Sequence, residues 1–151
     1  MERIKQFILA QLTQGTSPEK LALSCALGIS LATFPILGST TLLCFLAGAI
    51  WKLNQPVLQA LNYFMYPVQI ALIFFFVRLG ESLFHQESVS IQPTLLVKEF
   101  FSSPAQFFSH YGMAALCAIA AWALLAPFMI GAIYFSTKFL FSRWQQRKHS
   151  L

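Results

Sequence analysis

Aspartate does not occur in this chain, and acidic residues number only 5 among 151. No pair of buried carboxylates is on offer for general acid–base work, and no nucleophile–base set stands out. Cys25, Cys44 and Cys117 are isolated in apolar sequence, without zinc-ligand or disulfide spacing, and read as small packing residues. His85, His110 and His149 also lack metal spacing. A phosphate-gripping glycine loop is missing too. These absences predict a protein that is not an enzyme and holds neither cofactor nor metal.

Charge of either sign is scarce. Only 10% of residues are charged against 57% hydrophobic, and the mean hydropathy is +0.64. Three stretches contain no Asp, Glu, Lys or Arg: Leu21–Trp51, Leu53–Val77 and Phe100–Thr137. Each exceeds the roughly 20 apolar residues that one helical crossing needs. A soluble domain of this size has nowhere to hide so much apolar surface. The chain therefore reads as an all-α integral membrane protein. Met1–Gln14 lacks the pattern of a cleavable signal peptide. The net charge of +5 is no nucleic-acid footprint, because its densest run, Arg143–Lys148, directly follows an apolar stretch. Basic residues placed there report orientation and contact with anionic lipid headgroups.

Proline breaks two of the three stretches at a telling place. Pro35 lies in Thr33-Phe34-Pro35-Ile36-Leu37-Gly38-Ser39-Thr40-Thr41, and Pro67 follows Tyr66. A broken backbone at membrane depth survives only where protein buries it or a polar cavity bathes it. Discontinuous helices of this kind often line transport sites. Arms of about 20 Å on either side of Pro35 fall short of a 30 Å hydrocarbon core. A re-entrant hairpin with Lys20 and Lys52 at its feet fits better than two full crossings, although four thinner crossings are the rival.

The expected organisation follows. Residues 1–14 form an interfacial amphipathic helix, with Ile4, Phe7, Ile8 and Leu12 on one face. Residues 15–84 make a broken-helix membrane core, bent at Pro67. Residues 85–110 are a periplasmic interfacial segment. Residues 111–141 cross back, kinked near Pro127 and Gly131, and 142–151 are a basic tail. The distribution of Lys and Arg puts both termini in the cytoplasm.

Gln55, Gln59, Asn62, Tyr66 and Gln69 recur at steps of four, three, four and three, which sets them on one helix face. An amide facing lipid is costly, so this face looks at protein or at a wet cavity. Interhelical hydrogen bonding and a substrate-facing stripe both satisfy that demand. The Pro35, Gly38, Ser39, Thr40, Thr41 break offers free N–H groups to a phosphate or carboxylate, or its hydroxyls simply cap the next helix. Ser17, beginning the helix before it, carries the same two readings. Arg78 and Glu81, three apart, can pair.

The string Gly15-Thr16-Ser17-Pro18-Glu19-Lys20-Leu21-Ala22-Leu23, then Ala26-Leu27-Gly28 and Phe34-Pro35-Ile36-Leu37-Gly38 with Thr41, resembles a bacterial membrane family, DUF2062. Leu53-Asn54-Gln55-Pro56, the Pro67 break and Leu79-Gly80-Glu81 extend the likeness over about residues 15–84. Members of that family often carry Asn-Pro where this chain has Tyr66-Pro67, with Asn62 one turn earlier. The resemblance implies a bacterial inner-membrane protein, and related domains can occur beside glycosyltransferases. Two functions are expected in consequence. One is transport or handling of an anionic lipid or small solute at the broken helix. The other is a non-catalytic accessory subunit that positions a partner enzyme of envelope glycan or lipid synthesis. Membrane lipid, a second copy of the chain, or a glycosyltransferase subunit are the expected partners.

Overall fold

The computed structural model describes residues 17–89 and 92–149. The interfacial helix expected over 1–14 and the last residues of the basic tail lie outside them. All regular structure among the described residues is helical: α1 Pro18–Ala32, α2 Thr40–Ile50, α3 Gln55–Phe64, α4 Tyr66–Leu83, α5 Pro93–Ser102 and α6 Pro104–His149.

Local chemistry explains most of the boundaries. Ser17 is extended, and its Oγ accepts the Lys20 N–H at 3.3 Å, with Pro18 in the first turn and Glu19 beside it. α1 stops at Ala32 because Pro35 disfavours helix before it. The Thr33 and Phe34 N–H groups fall back on Ser30 O and Leu31 O. Asn54 caps α3 by accepting the Val57 N–H. Between α3 and α4 the interruption is a single residue, Met65, with near-helical dihedrals. Its N–H still reaches Leu61 O, and its carbonyl still takes the Gln69 N–H, both at 2.9 Å.

Two helix ends use a conformation that the sequence does not advertise. Lys52 (φ 51°) and His85 (φ 52°) are left-handed, and the next N–H groups reach back, Leu53 to Gly48 O and Gln86 to Glu81 O. Both are Schellman turns built without glycine. A left-handed β-carbon costs roughly 1 kcal/mol, so His85→Gly is expected to raise stability by about that amount in thermal unfolding. A fall would show that the His85 side chain contributes more than its backbone costs.

The region after α4 is ordered by its prolines. Residues 92–110 are largely helical, because Pro93 and Pro104 sit at helix starts where a missing N–H costs nothing. The helix expected over 111–141 runs from Pro104 to His149, and the expected kink does not end it: Pro127 lies inside continuous helix. One lost hydrogen bond is outweighed by long helical flanks.

α1 and α2 form an antiparallel hairpin. After α2 the chain returns beside α1, where the Asn54 N–H donates to Ser24 Oγ. Leu27, Cys44, Ala47, Leu53 and Leu58 make the core of this part. α4 packs antiparallel to α6 through Phe76, Val77, Ala114, Ala118 and Ala121. Gly80 lets the two backbones touch, for a β-carbon there would lie 2.5 Å from the carbonyl group of Cys117. α1 also lies along α6: Lys138 Nζ is 3.9 Å from Glu19, and Trp122 Nε1 donates to Thr33 Oγ1 at 3.1 Å.

The charges sort to the two ends of this assembly. Glu19, Lys20, Lys52 and Lys138 gather at one end. At the other, the buried Glu81 carboxylate pairs with Arg78 at 2.8 Å and accepts the Val89 N–H at 3.0 Å. The rise along α6 from Cys117 to Lys138 is about 32 Å, close to the hydrocarbon thickness of about 30 Å. α4 and the Pro104–Arg143 part of α6 are long and apolar enough to cross a membrane, with mean hydropathies of 1.3 and 2.2. Leu42, Phe45, Phe64, Phe74, Phe128 and Phe135 point outward, Phe64 at 80% exposure.

Candidate functional site

The turn between α1 and α2 is held from three directions. Gly38 adopts φ 83°, which reverses the chain before α2. Trp122 grips the start of the turn through Thr33, and its ring meets Phe34 edge-on at 5.0 Å. From α4, Gln69 Nε2 donates to Phe34 O at 2.9 Å and to Ile36 O at 3.5 Å. The buried Gln69 amide thus satisfies carbonyls that the interrupted helix leaves over.

The remaining amides of the stripe continue this pattern along α2. Gln55 Nε2 donates to Phe45 O at 2.8 Å and Gln59 Nε2 to Thr41 O at 3.2 Å. Gly48 makes room for the first of these, since a β-carbon there would fall on the Gln55 side chain. Three of the five stripe residues therefore join α3 and α4 to the hairpin by side-chain-to-backbone bonds.

Asn62 and Tyr66 have a different setting. With Gly38, Thr40, Thr41 and Tyr63 they line a cavity of about 360 Å³ at the start of α2. Asn62 is 3% exposed. Its Nδ2 donates to Thr41 Oγ1 at 3.3 Å, while its Oδ1 is buried without a partner among the described residues. Because that partner is a hydroxyl, the amide can turn over, leaving an NH₂ free instead. The expected capping of α2 by its hydroxyls is not what Ser39 does: its Oγ donates to Ile36 O at 2.8 Å and caps no N–H. The first-turn N–H groups of α2 have no helical acceptor. Among the described residues, no charged side chain lines the cavity.

The predicted site residues thus divide. Gly38, Thr40, Thr41, Asn62 and Tyr66 are brought together. Pro35 and Ser39 shape the turn behind them, while Gln59 and Gln69 brace it. Ser17 caps the far end of α1 and lies apart from the cavity. Tyr63 and Trp122 were missed by periodicity. Tyr63 neighbours Asn62 on the flank of the stripe. A single indole N–H inside the apolar run of α6 was the available signal for Trp122, since a buried tryptophan usually finds a partner.

A family model described as an uncharacterized protein conserved in bacteria, DUF2062, matches residues 1–150. The chain belongs to DUF2062. The match extends well beyond residues 15–84, so α5 and α6 are part of the DUF2062 unit, and Trp122 and its grip on the turn lie inside it. In this DUF2062 protein, Tyr66 precedes Pro67, and both Tyr66 and Asn62 line the cavity. No curated protein and no solved structure matches the chain.

Proposed function

We propose that this DUF2062 protein is an inner-membrane protein that takes the anionic headgroup of a lipid, or a small anionic solute, into the cavity at the α1–α2 turn. The observation that carries the reading is the buried Asn62 amide, with a polar atom free, in a cavity at an uncapped helix start. Such an end supplies N–H donors and the positive pole of the helix dipole to an anion. Within a bilayer, these groups act in low dielectric and without competition from bulk water. Thr40 adds a hydroxyl, and the exposed apolar residues on α2 and α3 suit an acyl chain.

The topology in this proposal is a re-entrant hairpin of α1 and α2, one crossing by α3 and α4, and a return by α6. Its support is the close fit of the 32 Å rise to a bilayer and the gathering of Lys20, Lys52 and Lys138 at one end. Both termini are then cytoplasmic by the positive-inside rule.

Native mass spectrometry from vesicles of phosphatidylglycerol and phosphatidylcholine tests the site. Wild-type protein is expected to retain phosphatidylglycerol. Asn62→Leu should lose about tenfold in retention, the worth of one hydrogen bond to a charged group, with its unfolding midpoint nearly unchanged. Equal retention by the variant, or no preference for the anionic lipid, overturns the assignment.

A second reading has its own observation in favour. Gln55, Gln59 and Gln69 all spend their amide nitrogens on internal bonds, as in a scaffold whose polar groups fix packing. In that case the protein is an accessory subunit, alone, paired with itself or holding a glycosyltransferase. Co-purification of an enzyme subunit in place of lipid would favour it.

A further inference from the structure

The cavity at the α1–α2 turn is lined by uncharged groups. Thr40 and Thr41 offer hydroxyls, Asn62 its amide, Tyr63 and Tyr66 their phenols, and Gly38 bare backbone. The start of α2 adds its N–H groups, and such a helix pole is worth about half a unit of positive charge. Among the described residues, each element around the turn keeps its charges at a distance. Lys52 follows the opposite end of α2, about 15 Å of helix away, and Arg78 lies about 18 Å along α4 from Tyr66. Arg78 is moreover engaged by Glu81 at 2.8 Å. α1 carries Glu19 and Lys20 about 20 Å from Thr33, and α6 carries His110 and Lys138 about 18 and 24 Å from Trp122. Cys44, the other titratable side chain on α2, is buried in the core beside Leu27 and Leu58.

Half a unit of positive charge sets a limit on the anion. A phosphodiester carries one negative charge. A phosphomonoester carries about −1.5 to −2 at pH 7, because its second proton leaves near about pH 6. The first charge is largely met by the helix pole and the hydroxyls. The second would stand without a partner in low dielectric, which is costly.

We infer that the cavity selects a singly charged phosphodiester and rejects the dianion of a phosphomonoester. The inference rests on the headgroup reading above and adds which phosphate is taken. A monoester held here keeps its second proton more tightly than in water, so it binds as the monoanion at low pH and is released as pH rises past about 6. A lift of one pH unit in that ionisation corresponds to about tenfold in retention. The diester has no such proton, and its retention stays level.

Native mass spectrometry tests this with wild-type protein from phosphatidylcholine vesicles that hold phosphatidylglycerol or phosphatidic acid, between about pH 5 and 8, either side of the monoester's second ionisation. The two lipids are expected to be retained alike at the acid end. At the alkaline end phosphatidic acid should fall about tenfold while phosphatidylglycerol is unchanged. Tyr63→Lys, at an exposed position on the rim, supplies a cation and should close that gap. Equal retention of the two lipids by wild type at the alkaline end overturns the inference and leaves the headgroup reading standing. No preference for either over phosphatidylcholine removes both. A parallel decline of the two lipids would trace the effect to a protein group and overturn the inference, as would a gap that Tyr63→Lys leaves untouched. Lipid-free protein offered soluble glycerophosphoglycerol or glycerol phosphate separates the sources. Adducts of the diester alone assign the selectivity to a free solute as well, and adducts of neither assign it to lipid; both results uphold the charge rule, and adducts of the monoester alone overturn it.

Discussion

Gly80→Ala is expected to cost about 3 kcal/mol, the upper part of the range for overpacking. The new β-carbon would meet Cys117 C and O at 2.5 Å and Ala118 N at 2.9 Å. These are backbone atoms in the middle of α6, so no side chain can turn aside. The two longest apolar helices must separate, and the Phe76, Val77, Ala118 and Ala121 contacts loosen with them. Thermal unfolding in detergent measures the loss. Gly112→Ala is the control, because nothing lies within 4 Å of its β-carbon position, and it should be neutral or slightly stabilising through helix propensity. Equal behaviour of the two variants would show that α4 and α6 do not touch at Gly80.

The second large effect is expected at Gln69. Replacing it with leucine keeps similar bulk but removes the donor to Phe34 O and Ile36 O. Two carbonyls at the interrupted end of α1 then stay unpaired in a buried place, a penalty of about 1–3 kcal/mol each, smaller for the 3.5 Å partner. A net loss of about 3 kcal/mol is expected in thermal unfolding. Gln69→Leu and Asn62→Leu therefore separate two roles on one stripe. The first should weaken the fold, and the second should leave the fold and, on the function proposed above, lower lipid retention. A Gln69→Leu variant as stable as wild type would remove the bracing role assigned here.

These variants also show where sequence was enough. Charge-free stretches, Pro35 and the Ser17-Pro18-Glu19 start located α1, α2 and the turn, because each acts through local chemistry. The amide stripe was visible as a periodicity, but periodicity tells only that the face is covered. It does not tell whether a backbone carbonyl or a cavity covers it. That distinction depends on where α2 lies across from each position, and it separates Gln59 from Asn62 although they are neighbours on one face. The left-handed backbone at Lys52 and His85 was not legible because glycine, its usual marker, is absent. Pro93 and Pro104 begin α5 and α6, since a proline that ends one element is equally suited to begin another.

α6 reaches far past what any bilayer can cover. Its 46 residues amount to about 69 Å, more than twice the roughly 30 Å of a hydrocarbon core. The rod is held at Cys117 beside Gly80, at Trp122 by Thr33 and Phe34, and at Lys138 beside Glu19. The Phe107 and His110 end of the rod is joined to Thr33 and Phe34 through α6 itself and its contacts with α4. The rim of the cavity therefore shares one continuous helix with residues about 18 Å farther along it.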